Sequence, residues 1–246
     1  MKELSKIALA VQPSATLAID TMFKQMRADG LDVIGFGAGE PDFPTPWHIR
    51  DAGIYSLEKG FTKYTSNAGL AELRREIASY LARRFGLHYH FADQILVTVG
   101  GSDLAIRCLV NPGDEVIVPV PSFVCYGPLV EMAGGTPVYL EMKAENEFRL
   151  TADELRSAIT YKTKALVLPF PSNPTGGIME RADLEALAEV LRGTDIMVIS
   201  DEIWSDLTLE GYQHIPLQSV SEDARMRTVA LYAPSKTFNL AGLIGS

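Results

Sequence analysis

The sequence has little of what disulfide-stapled, membrane-spanning or nucleic-acid-binding proteins need. Two of its 246 residues are cysteines, Cys108 and Cys125, which are too few for a disulfide framework. No apolar run nears the length of a membrane span, and the run at 7–11 is too short for a secretory signal. Acidic residues outnumber basic ones, 31 against 22, so the net charge of -9 argues against nucleic acid or anionic membranes as partners. We therefore expect a soluble, cytoplasmic protein, and we predict no metal ligands.

What the sequence does contain is an alternation of apolar runs and helical patterns. Hydrophobic residues make up 47% of the chain, enough for one large core or two modest ones. Helical spacing is found at 14–28, 47–58, 70–85, 151–159 and 181–191, and apolar runs at 33–34, 95–99, 115–120, 136–140, 165–169, 196–200 and 228–232. Several runs are almost continuously apolar, as in parallel sheets covered on both faces. The pattern predicts an α/β fold with a mostly parallel sheet and helices on both faces.

Polar motifs follow several of these predicted strands. Gly100-Gly101-Ser102 follows 95–99, Asn173-Pro-Thr-Gly176 follows 165–169, Asp201-Glu202 follows 196–200, and Lys236 follows 228–232. In open α/β sheets, ligands bind beyond the carboxyl ends of the strands. We therefore expect one edge of the sheet to bring these motifs together.

The chemistry of these motifs fits a single cofactor. Gly101-Ser102 opening a helix offers free backbone amides and a positive dipole end to a phosphate. Asn173 can donate a hydrogen bond to a phenolic oxygen, and a partly buried Asp201 needs a cation such as a protonated pyridine nitrogen. A partly desolvated Lys236 would supply an amine that forms a Schiff base with an aldehyde. Singly, each motif is more often a turn, a loop, a cap or a surface lysine, but together they favour pyridoxal phosphate (PLP).

These residues resemble a fold-type I PLP-dependent enzyme, specifically the class I/II aminotransferase family. The resemblance covers nearly the whole chain. It is carried by Phe36-Gly-Ala-Gly-Glu-Pro-Asp-Phe-Pro44, Lys63-Tyr64, Pro112-Gly-Asp-Glu-Val116, Asn173-Pro-Thr-Gly176, Ser200-Asp-Glu-Ile203 and Ser235-Lys236. It implies an enzyme that moves an amino group between an amino acid and a 2-oxo acid, with PLP held as an aldimine on a lysine.

The resemblance implies how the cofactor ring and the substrate are held. Lys236 would form the aldimine and act as the catalytic base, and Asp201 would pair with the pyridine nitrogen. Asn173 would bind the ring hydroxyl, and Phe123 would stack on the ring face. Gly39, in a loop that closes over the substrate carboxylate, would contact the substrate together with Asn173.

The resemblance also implies a phosphate site and a partner subunit. Gly101, Ser102 and Ser235 would form the phosphate cup. Tyr64 matches a tyrosine that reaches the phosphate of the neighbouring subunit, which implies a homodimer with shared active sites. Residues 1–45 would form an N-terminal arm and a small-domain segment, and residues 46–246 the PLP-binding large domain.

The sequence departs from the family pattern at several positions. The chain ends at Ser246, where the family continues into a strand and a small C-terminal domain that carries the arginine for the substrate carboxylate. The helix after Ser102 is about three residues shorter than usual, nearly one turn, which would change the phosphate site. Ile244 and Trp204 stand where the family usually has an arginine and a tyrosine.

These departures leave two alternatives open beside an aminotransferase. Residues 201–246 are similar to those of cystathionine β-lyase-like C–S lyases, which use the same fold and cofactor to expel a thiolate. A truncated, non-catalytic chain that at most binds PLP is the other. A sheet without its neighbouring strand would expose an edge, so we also expect the chain alone to aggregate or to need a partner.

Overall fold

The strands of this protein form one all-parallel sheet, as the sequence predicts. The computed structural model describes residues 5–11, 15–35, 37, 39 and 41–244. The strands are β1 (Glu115–Val120), β2 (Thr136–Glu141), β3 (Thr163–Leu168), β4 (Met197–Asp201) and β5 (Thr228–Leu231), in the order β2-β1-β3-β4-β5. Because every pair is parallel, the carboxyl ends of all five strands lie at the same edge of the sheet.

Helices connect and cover these strands. They are α1 (Lys6–Ala10), α2 (Ala15–Ala28), α3 (Trp47–Glu58), α4 (Ala71–Phe85), α5 (Gly101–Leu109), α6 (Tyr126–Met132), α7 (Ala152–Ala158), α8 (Arg181–Leu191), α9 (Glu222–Arg227), α10 (Pro234–Thr237) and α11 (Ala241–Ile244). Local sequence sets their ends: α7 begins at a capping box formed by Thr151 and Glu154, and α4 ends at Gly86, whose φ of 69° favours glycine. Within the described ranges, no helix is long and apolar enough to cross a membrane.

Two apolar cores cover the two faces of the sheet. Successive residues of a strand point to opposite faces, so Val198 packs in one core and Ile199 in the other. Leu155 of α7 and Leu187 of α8 are fully buried in the first core, and Ile106 of α5 is fully buried in the second. The expected α/β fold with helices on both faces is therefore confirmed.

The predicted strand at 95–99 is wrong. The segment lies in irregular structure, with the Val97 N–H donating to the carbonyl of Ala68 at 3.1 Å. A strand needs a partner, and β5 is the edge of the sheet in the described part of the chain. The expected short strand at 33–34 is likewise absent, with Ile34 exposed. Ser14, which the sequence offers as a possible N-cap for the helix at 14–28, lies outside the described residues. The division at residue 45 stays a prediction.

Candidate functional site

A buried carboxylate, Asp201, lies at the carboxyl end of β4. The hydroxyl of Tyr126, at the start of α6, donates to its Oδ2 at 2.6 Å, and the backbone N–H of Ile203 donates to its Oδ1 at 3.2 Å. Burial raises the pKa of Asp201 and the neighbouring Glu202 adds to this, while the two hydrogen bonds oppose the rise. No salt bridge reaches Asp201 within the part of the chain that the structure describes. Among the described residues, the Asp201 carboxylate is therefore held by hydrogen bonds and not by an ion pair.

Tyr126 is the site residue that the sequence reasoning missed. Burial, with the Asp201 carboxylate beside it, raises the pKa of its hydroxyl above 10.0, so the phenol stays protonated and can only donate to Asp201. Its ring meets that of Phe123 edge-on, with the centroids 6.1 Å apart. Phe123 is 47% exposed, so its ring borders the Asp201–Tyr126 pair from the solvent side. The feature of the sequence that could have indicated Tyr126 was its position three residues after Phe123, which the resemblance already placed at the site.

Lys236 lies on the loop that follows the neighbouring strand, β5. Leu231, the last residue of β5, pairs with Asp201 in the sheet register, and Lys236 follows in the short helix α10. The Nζ atom lies 3.4 Å from the carbonyl oxygen of Gly39 and 5.3 Å from the centroid of the Trp204 ring. Trp204 lies in the turn at 203–206 that follows Asp201. The amine and the carboxylate are therefore carried by neighbouring segments of the chain.

A segment near the N-terminus closes one side of the lysine loop. Gly39 contacts Lys236 through its carbonyl, and a Cβ placed on Gly39 would lie 3.9 Å from the Nδ2 atom of Asn173. Asn239, with a φ of 52°, donates from Nδ2 to the carbonyl of Phe43 at 2.6 Å and accepts at its own carbonyl from the Thr45 hydroxyl at 2.7 Å. The structure therefore brings Lys236, Gly39 and Asn173 together.

The glycine motif opens a helix, as predicted, despite the shortened connection. Gly100 has a φ of 87°, a conformation that favours glycine, and α5 begins at Gly101 without a side-chain cap. The first amides of a helix have no partner within it, so those of α5 remain available. A Cβ on Gly101 would lie 3.3 Å from the Cδ2 atom of Leu231, which places this helix start beside the end of β5. Ser102 is half-buried and Ser235 is buried.

Tyr64 is the predicted site residue that does not contact the other predicted site residues in the described part of the chain. It is fully exposed on the loop between α3 and α4. Such exposure leaves the Tyr64 ring accessible to another subunit.

The candidate site is an open rim of the sheet and not an enclosed cavity. A cleft of about 740 Å³ lies elsewhere, lined by residues that include His88, His214 and Arg225 and by none of the predicted site residues. We assign the site to the rim because the chemistry converges there: within the described ranges, the Asp201 carboxylate and the Lys236 amine form no salt bridge, and the first amides of α5 have no partner within the helix. This set fits PLP, whose ring nitrogen, aldehyde and phosphate need a carboxylate, an amine and amide donors respectively.

The comparisons with known proteins agree with this geometry. Residues 31–245 match the family described as aminotransferase class I and II. The chain is 41% identical, over 98% of its length, to an aspartate aminotransferase from Bacillus sp. (strain YM-2), and 45% identical, over 89%, to a putative aminotransferase of Bacillus subtilis. A solved aspartate aminotransferase from Thermus thermophilus with maleate covers 98% of the chain at a TM-score of 0.92 and 38% identity.

The chain is shorter than these relatives. It spans 62% of the Bacillus sp. enzyme, 57% of the Bacillus subtilis protein and 63% of the Thermus thermophilus chain. These relatives are named as aminotransferases, so the lean of residues 201–246 toward C–S lyases receives no support from them and stays a prediction. The family match nevertheless covers most of the sequence. This chain belongs to the class I and II aminotransferase family.

Proposed function

We propose that this chain provides the PLP-binding part of an aminotransferase that moves an amino group between an amino acid and a 2-oxo acid. The observation that carries the proposal is the buried Asp201 carboxylate, which forms no salt bridge with any described residue and lies at the end of β4 beside the segment that bears Lys236. The relatives at about this level of similarity are named aspartate aminotransferases, so aspartate is the first amino donor to test.

Asp201 would hold the proton on the ring nitrogen of PLP. When bound, PLP supplies an electron sink for the electrons released at the substrate α-carbon. The hydroxyl of Tyr126 and the N–H of Ile203 fix the carboxylate in one orientation and oppose the rise in its pKa that burial causes. Phe123 would cover the ring face, and Asn173 would donate to the ring hydroxyl and contact the substrate.

Lys236 would bind the cofactor aldehyde and then, once the substrate amine displaces it, take the proton from the substrate α-carbon as a general base. The carbonyl of Gly39 and the ring of Trp204 hold the amine at the rim of the site. Both are weaker partners for an ammonium group than a carboxylate, so the amine can leave them at little cost. Gly39 would also lie against the substrate.

The phosphate would bind at the start of α5. The free amides at Gly101 and Ser102 lie at the positive end of the helix, where an anion is stabilised. The hydroxyls of Ser102 and Ser235 would add donors. Tyr64, fully exposed, would reach the phosphate of a second subunit, and we propose a homodimer with shared sites on this basis. A cytoplasmic location stays a proposal from the sequence composition.

Titration with PLP tests the cofactor assignment. We expect the purified chain to develop the visible absorbance of a lysine-bound PLP, and Lys236→Ala to abolish it. Lys162→Ala is the matched control, because the Lys162 side chain lies over the Tyr161 ring just before β3, at the end of the strands opposite to the site. An unchanged absorbance in Lys236→Ala would contradict the assignment.

Product analysis separates the three possible activities. Amino transfer from aspartate that requires a 2-oxo acid acceptor would support the proposed function. Pyruvate and thiol released from cystathionine without an acceptor would show a C–S lyase instead. Bound PLP with neither reaction would show a chain that binds the cofactor without catalysis.

A further inference from the structure

A second buried carboxylate, Glu202, follows Asp201 and has no role in the site described above. Its side chain is fully buried, yet it accepts hydrogen bonds from several neighbours. The hydroxyl of Ser200 donates to Oε1 at 2.9 Å, the hydroxyl of Tyr232 donates to Oε2 at 2.5 Å, and Nε2 of His214 lies 2.9 Å from Oε2. A buried carboxylate with this many hydrogen-bond partners is held in one position.

Glu202 points away from the face that carries Asp201. Asp201 lies on the same side of β4 as Ile199, in the core with α5 and α6, while Glu202 follows Val198 and Ser200 on the other side. Its contacts with His214 and Tyr232 agree with that placement. Glu202 therefore does not touch the proposed cofactor site.

What Glu202 does contact is the strand that leads to Lys236. Its backbone N–H donates to the carbonyl of Leu231 at 3.0 Å, which extends the β4–β5 pairing by one residue. Its side chain accepts from Tyr232, the next residue along. One residue at the end of the Asp201 strand is thus bonded to two consecutive residues of the Lys236 strand.

Tyr232 is itself held in place. Nε2 of Gln218 donates to its hydroxyl at 3.0 Å, and its ring stacks on Phe85 with the centroids 6.0 Å apart. Between Tyr232 and Lys236 the chain has little freedom, because Pro234 restricts its own φ and the buried Ser235 accepts from the Leu240 N–H at 3.0 Å. A shift of Tyr232 would therefore be passed on to Lys236.

We propose that Glu202, acting through Tyr232, is a positioning residue that sets the spacing between Asp201 and Lys236. This inference rests on the proposed function, since the spacing matters only if both residues hold the same cofactor. It assigns the Glu of the Asp201-Glu202 motif a task distinct from that of the Asp. Asp201 binds, and Glu202 keeps the two strand ends in register.

The test compares variants that remove one hydrogen bond each from the same network. Tyr232→Phe deletes the link to the lysine strand but keeps the ring. His214→Phe deletes another donor to the same Oε2 atom without touching that strand. Glu202→Gln keeps an oxygen that accepts from Tyr232, so it is the conservative variant that should retain the wild-type behaviour. Tyr139→Phe, on the edge strand β2 at the other side of the sheet, controls for the loss of a tyrosine hydroxyl as such.

The first readouts are PLP affinity and the fraction of bound PLP that borohydride fixes to Lys236. We expect Tyr232→Phe to weaken affinity about tenfold, as the loss of one hydrogen bond to a charged group would, and to lower the trapped fraction. The three other variants should stay within about threefold of the wild type. Equal effects of Tyr232→Phe and His214→Phe would overturn the proposal, because both destabilise Glu202 but only one touches the lysine strand.

Hydrogen exchange on the chain without PLP gives a readout that does not depend on the proposed function. In Tyr232→Phe, the amides of Glu202 and of residues 231–233 and 235–236 should exchange faster than in the wild type, with β2 unchanged. Unchanged exchange at these amides, or unfolding of Tyr232→Phe while His214→Phe stays folded, would contradict the positioning role. A wild-type chain that binds no PLP would instead refute the proposed function, and the exchange data would still decide whether the link exists.

Discussion

The hydrogen bond from Tyr126 to Asp201 makes a quantitative prediction for the variant Tyr126→Phe. The substitution removes the hydroxyl that donates at 2.6 Å and leaves the ring in place, so Asp201 keeps only the N–H of Ile203 at 3.2 Å. A hydrogen bond to a charged group contributes about 1.5–3 kcal/mol to stability. Its loss should therefore raise the pKa of Asp201 further.

The pH dependence of this effect has a definite sign. Burial raises the pKa of native Asp201 above its ordinary value of 3.8, so the native state holds the proton more tightly than the unfolded state. The free energy of unfolding contributed by this group therefore falls as pH rises from 3.8 through the native pKa, and stays low above it. Removing the Tyr126 hydroxyl raises the pKa of Asp201 in the native state. The fall in the free energy of unfolding then continues to higher pH.

Urea unfolding at two pH values measures the prediction. Tyr126→Phe should lower the free energy of unfolding by about 1.5–3 kcal/mol at pH near 8, and the loss should become smaller as the pH is lowered and Asp201 takes up its proton. In an Asp201→Asn background the loss should drop to about 1 kcal/mol, the usual value for a neutral hydrogen bond. Tyr139→Phe is the control. A loss that is the same at both pH values and in both backgrounds would refute the reasoning, since it would reflect packing alone.

Further predictions concern Asp201, Asn239 and the sheet edge. Asp201→Asn should stabilise the chain without PLP by about 1 kcal/mol or more at neutral pH, because it removes a buried charge that no described residue pairs with. The PLP affinity of the same variant should fall. A lower free energy of unfolding in urea would contradict this prediction. Asn239→Ala should cost about 2 kcal/mol or more, since it removes the bond to Phe43 and places alanine at a φ of 52°, whereas Asn239→Gly should cost about 1 kcal/mol less. Equal costs would argue against backbone strain. Because β5 is the edge of the described sheet, the chain alone should self-associate with rising concentration in sedimentation, and a monodisperse monomer would count against this.

The fold was largely predictable because buried parallel strands are marked by their own composition. The strands β1, β3 and β4 are continuous apolar runs whose signal is local, and each was predicted within a residue or two. The run at 95–99 carries the same signal but forms no strand, since strand formation also depends on a partner elsewhere in the chain. Apolarity therefore predicts burial better than it predicts pairing.

The site was predictable where its residues follow strands and unpredictable where they meet across the chain. Lys236, Asp201 and Asn173 each follow a strand, so the parallel topology alone brings them to one edge. Tyr126 contacts Asp201 from a position 75 residues away, and no local pattern reports such a contact. The bonds from Tyr232 and His214 to Glu202 are of the same kind.

The central claim is that Lys236 and Asp201 hold the same PLP molecule. Borohydride reduction of the PLP-loaded chain, followed by peptide mass analysis and repeated on Asp201→Asn, measures this most directly. We expect the pyridoxyl adduct on Lys236. In Asp201→Asn, PLP affinity should fall at least about tenfold, because the charged partner of the ring nitrogen is lost. An adduct on another lysine, or an affinity that Asp201→Asn leaves unchanged, would contradict it.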